Sequence, residues 1–140
     1  MVRKTAATAD IVAAMLVACD DTLAGIRDRA LVSFGYAAAL SRSRLVALTL
    51  ADLPQVEDDP RLHPAKHMRA WLAAAEITEG RIFRSVISGY VGEGMTDFAI
   101  SKRIKTLAKR AGHDPQAFSA SSLRAGFLLD HRLPRSRRGR

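Results

Sequence analysis

Apolar residues recur at helical spacing along most of the chain. In "TADIVAAMLVACDD" Ile11, Ala14, Met15 and Ala18 share one side of a predicted helix, and Thr8 or Asp10 offers an oxygen to the free amides at its start. "AGIRDRALVSFGYAAAL" predicts a second helix with a broad face of Ile26, Ala30, Leu31, Phe34 and Ala38. Arg27, Asp28 and Arg29 are expected on its other sides. Gly35 lowers its propensity by about 1 kcal/mol relative to alanine and marks a close helix contact. "SRSRLVALTLADL" predicts a short helix through Leu48 and then an extended piece. From Pro54 to Pro64 the chain is polar and proline-bearing, the pattern of a surface loop.

"PAKHMRAWLAAAE" resumes the helical pattern. Pro64 stands at the first position, where its missing donor costs nothing, and Met68, Trp71, Leu72 and Ala75 form the stripe. Gly80 suits a stop after it. "RIFRSV" predicts a short strand and "SGYVGEG" a glycine-rich turn without the features of a phosphate-binding loop. In "MTDFAISKRIKTLAKRAG", Thr96 or Asp97 caps the helix and Gly112 closes it. Phe98, Ile100, Ile104, Leu107 and Ala108 are its expected buried side. A turn and a last helix follow in "HDPQAFSASSLRAGFLLD". The fold class is mainly α, a bundle of about five or six helices with at most a small β element.

Composition sharpens this picture. The chain has 140 residues, 48% of them hydrophobic and only 6% aromatic, enough for one core built largely on alanine and branched aliphatics. Lys and Arg number 22 against 14 acids, a formal charge of +8, which makes a phosphate-rich polymer a candidate partner. A single cysteine, Cys19, excludes an internal disulfide and a cysteine zinc site and fits the cytoplasm. His63, His67, His113 and His131 show no metal-ligand pattern, although His63 and His67 stand four apart. No apolar run approaches the roughly 20 residues that span a bilayer.

Three segments, "RDRALVSFGYAAALSRSRLVALTLADL", "HMRAWLAAAEITEGRIFRSV" and "ISKRIKTLAKRAGHDPQAFSASSLRAGF", resemble successive parts of the catalytic domain of tyrosine recombinases, the phage-integrase family, over roughly residues 8 to 127. The resemblance implies a helical catalytic domain acting on double-stranded DNA through a tyrosine–phosphate intermediate, with no metal or other cofactor. It also locates the family's active-site positions. In "ALSRSRL" Ser41 stands where the family has its first active-site arginine and Arg44 where it has a glutamate. Arg42 is one residue late, about 100° further round a helix. In "SASSLRAGF" Ser121 stands at the family's histidine and Arg124 matches its second arginine.

Other family features have no counterpart. The family's hairpin lysine could be matched only by Lys66, which falls in a predicted helix. Tyr36 and Tyr90 both precede Arg124 and match no nucleophile position. Serine offers a neutral donor in place of a cation, and one lost stabilising group typically costs about 10²–10³ in rate. The expectation is a DNA-binding remnant of a recombinase without strand cleavage. Residues 1–129 would form a shortened catalytic domain and 130–140 an unstructured basic tail. Arg42, Arg44, Lys102, Arg103, Lys105, Lys109, Arg110 and Arg124 are the expected DNA contacts, joined by arginines 132, 135, 137, 138 and 140. Two alternatives remain: a module that docks on a full-length recombinase subunit, and a truncated gene product with no role.

Overall fold

Three of the helices begin at a hydroxyl that closes their first turn. Thr22 accepts from the Gly25 amide, Ser41 from that of Arg44 and Thr96 from that of Ala99. In the computed structural model, which describes residues 4–132, the order is α1 (Ala9–Ala18), α2 (Leu23–Ala37), α3 (Arg42–Ala47), α4 (Pro64–Ala74), β1 (Arg84–Ile87), β2 (Tyr90–Gly94), α5 (Asp97–Arg110) and α6 (Ser122–His131). Short 3-10 turns at Leu50–Asp52 and Pro115–Ala117 complete it. The chain is therefore mainly helical with one small sheet, as the periodicity predicts. No described helix is long and apolar enough to cross a membrane.

The sheet is a single antiparallel hairpin. The segment read as a glycine-rich turn supplies its second strand. Only Ser88 and Gly89 turn the chain, both with positive φ, which suits the right-handed twist of the flanking strands. The strand was hidden because its residues are mostly exposed and two are glycine, so no apolar alternation marks it. The stop after α4 also differs: Glu76, at φ 55°, reverses the chain four residues before Gly80.

Helix α2 is the centre of the molecule, packing against α1, α4, α6 and β1. Gly35 makes the close contact that its sequence position predicts. A Cβ there would stand 2.8 Å from Leu123 of α6 and 3.1 Å from Leu45 of α3. Trp71 is fully buried and donates its indole N–H to the Ile82 carbonyl at 2.8 Å. The N-terminal segment lies along α6, with the Thr5 amide on the Ala117 carbonyl and the Ala7 amide on that of Ser122. A Cβ at Gly126 would fall 1.7 Å from the Ala7 carbonyl oxygen, which is why that helix must be small there.

Two expectations about facing are corrected. Phe98 is 77% exposed, because it lies two residues, about 200° of helix, from Ile100 on the buried stripe of α5. Arg27 and Asp28 point inward, at 3% and 0% exposure. A helix packed on several sides has no outer face to which these charges could turn, and they neutralise each other instead. The Thr8 carbonyl accepts from the Val12 amide at 2.9 Å, but its side chain makes no cap bond to α1; Asp130 of α6 accepts from the Ala9 amide at 2.8 Å. Asp130 and His131, expected in the tail, lie within α6. Arginines 135, 137, 138 and 140 lie outside the described residues.

Candidate nucleic-acid interface

The expected DNA-contacting cations divide into those held inside the fold and those presented outward. Asp28 takes two arginines at once. Its Oδ1 accepts from Nε and Nη2 of Arg27 at 3.1 and 3.0 Å, and its Oδ2 from Nε and Nη2 of Arg103 at 3.1 and 2.7 Å. The remaining arm of Arg27 reaches the Arg84 carbonyl at 3.2 Å. One buried carboxylate thus ties α2, α5 and β1 together through paired fork geometry. Arg103 belongs to this internal cluster. Lys105 is likewise turned inward, donating to the Phe118 carbonyl that leads into α6. Desolvation, and then the nearby Lys4 ammonium, lower its pKa.

Lys102, Lys109 and Arg110 are exposed on α5. Lys102 and Lys109 are seven residues apart and so share one side of the helix. Arg110 donates to the Ala18 carbonyl at 3.4 Å. Arg44 is exposed on α3, and Arg42 pairs loosely with Asp97 at 3.4 Å, both side chains about half exposed. Arg132 is exposed just past α6.

Arg124 is exposed on the first turn of α6. The surrounding helix is small-featured because of Gly126, and the guanidinium itself points out of the core. It donates once, from Nη1 to the Ala39 carbonyl at 3.1 Å, and no carboxylate among the described residues pairs with it. Ala39 belongs to the tight α2–α3 connection, where it sits at φ 51°. Ser41 follows two residues later and caps α3. Folding therefore brings Arg124 to the turn that leads into Ser41, 83 residues earlier in sequence.

Ser41 and Ser121 are occupied by local structure. Ser41 Oγ accepts from the Arg44 amide and lies 3.3 Å from Ser43 Oγ. Ser121 Oγ lies 2.9 Å from Ser119 Oγ. Tyr36 is buried, its hydroxyl donated to Asp130, and burial raises its pKa. Tyr90 is exposed on the hairpin. Lys66 lies on α4, exposed. The rings of His63 and His67 stand edge to face at 6.5 Å. Burial holds His67 below the usual histidine range. Among the described residues no group of three or more His, Cys, Asp or Glu could hold a metal ion.

A cleft of about 680 Å³ opens beside Ser41. Ser41, Arg42, Ser43 and Val46 form one wall, Thr96 and Asp97 at the start of α5 the other, and Arg81 and Met95 the base of the hairpin. Sequence reasoning did not single out Arg81. Its place depends on the hairpin folding back, which sets Arg81 Nη2 on the Met95 carbonyl at 3.1 Å. The one signal was Gly94, where a Cβ would come within 2.6 Å of the Arg81 guanidinium.

The chain is 26% identical over 140 aligned positions to an integrase/recombinase xerD homolog of Selenomonas ruminantium, an alignment covering 77% of this chain. The likeness to that protein is one of sequence and is distant. The matched region spans 40% of the relative's length. No family profile matches the chain, and no solved structure matches it.

Proposed function

We propose that the chain binds double-stranded DNA through backbone phosphates, in a setting related to integration and recombination, and does not itself cleave a strand. The carrying observation is Arg124. It is presented to solvent and, among the described residues, has one of its five donors engaged and no carboxylate on it, a cation available to an anion. Arg44, Lys102, Lys109 and Arg110 add exposed positive charge. Phosphate contacts of this kind release condensed counterions, so affinity falls with salt.

The non-cleaving part rests on the serines. Ser41 and Ser121 put neutral, locally bonded hydroxyls where strand transfer would need charge stabilisation and proton transfer. Tyr36 is enclosed, and Tyr90 lies on the hairpin rather than on the Arg124 turn.

Fluorescence anisotropy with a labelled duplex over a salt series tests the binding. Affinity should fall linearly on logarithmic axes. Arg124→Ala should weaken binding about tenfold and reduce the slope by about one. Binding that ignores salt would overturn the reading. A covalent protein–DNA adduct on denaturing gels would overturn its non-cleaving part.

A further inference from the structure

We infer that the cleft between α3, α5 and the hairpin base is a second phosphate seat, formed by Arg42 and Arg81, with Asp97 as a built-in competitor for the incoming anion. This rests on the DNA-binding reading above and adds a contact made by residues other than Arg124.

Both arginines line the cleft, together with the hydroxyls of Ser41, Ser43 and Thr96. Two guanidinium groups beside three hydroxyls make a donor-rich wall suited to a tetrahedral oxyanion. Arg81 is held in place. Its Nη2 donates to the Met95 carbonyl, and its guanidinium lies where any side chain at position 94 would begin. Gly94 thus leaves room for the arginine head over the hairpin. Arg42 is the loosely held partner. Its contact with Asp97 is 3.4 Å long, with side-chain exposures of 56% and 50%. A pair so exposed and solvated holds weakly, so a phosphate can take the guanidinium over at small cost. Asp97 then faces the bound anion across the cleft and weakens it by like-charge repulsion.

The site predicts opposite responses from neighbouring substitutions. Arg81→Ala should weaken duplex binding about tenfold and lower the salt slope by about one. Gly94→Ala keeps every charge and displaces the Arg81 head, so it should weaken binding in the same direction. Asp97→Asn should strengthen binding about two- to fivefold, as Arg42 is released. Thermal melting of each variant identifies any that fail to fold, and the Asp97→Asn gain cannot come from misfolding. If the unaltered protein binds DNA and Arg124→Ala weakens it, while Arg81→Ala, Gly94→Ala and Asp97→Asn leave it unchanged, the second seat is refuted and the DNA-binding reading stands. If the unaltered protein does not bind duplex at all, both fall together.

Discussion

Tyr36 gives its hydroxyl to Asp130, 94 residues away, and the same carboxylate oxygen receives the Ala9 amide at the start of α1. One acceptor thus holds three helices. Asp130→Ala leaves the phenol of a nearly buried tyrosine and a helix-start amide without partners. It should cost about 1–3 kcal/mol in urea unfolding. Asp130→Asn keeps an acceptor oxygen and should recover part of the loss.

The Asp28 cluster predicts a division of labour among the cations. Asp28→Ala strands a buried arginine and should cost about 3–5 kcal/mol. Arg103→Ala removes the more exposed partner and should destabilise less. Lys109→Ala should leave the melting temperature within a degree or two of the parent, roughly what a surface change allows, and weaken DNA binding. A loss of DNA affinity for Arg103→Ala at full stability would contradict this assignment.

Cys19 supplies a pH dependence. Burial, reinforced by Asp28, raises its thiol from 9.0 to about 12. The folded state therefore holds this proton more tightly than the unfolded chain. The corresponding stability is complete below pH 9.0 and is lost as pH rises toward about 12. Urea midpoints measured at increasing alkaline pH should fall, and Cys19→Ala should flatten that part of the decline. At neutral pH the buried thiol should react with an alkylating reagent only as the protein opens.

Gly126→Ala tests the crossing of α6 by the N-terminal segment. The added methyl meets backbone, the carbonyl group of Ala7, which cannot swing aside as a side chain end can. The segment or the helix must move, at about 1–3 kcal/mol. Thermal melting should show the loss, and Ala125→Ser on the exposed neighbour should not.

Much of the fold was legible because the helices carry their own punctuation. Thr96 caps α5, Gly112 ends it at φ 92°, and Pro64 opens α4, each read from local chemistry alone. The Gly35 contact was legible too, since a helical glycine has few other uses. Facing was harder. Arg27 and Asp28 read as surface because periodicity assumes that a helix has an outside, and α2 has almost none. Phe98 read as core because its size outweighed its angular position. In the candidate site, the motif singles out position 124 but does not reveal its outward aim. That aim depends on Gly126 drawing the helix against Ala7, so that the arginine two residues earlier stands clear. Arg81 was invisible because it enters the cleft through hairpin geometry that no run of neighbouring residues encodes.

The central position of α2 has a consequence for how the molecule opens. Amides along a helix enclosed by α1, α4, α6 and β1 can meet solvent only when those layers separate together. Their deuterium uptake should follow the global unfolding free energy, while the hairpin around Ser88 and Gly89 exchanges through small local excursions. The element most tightly bound into the structure is thus the one whose isotope clock reports on the whole.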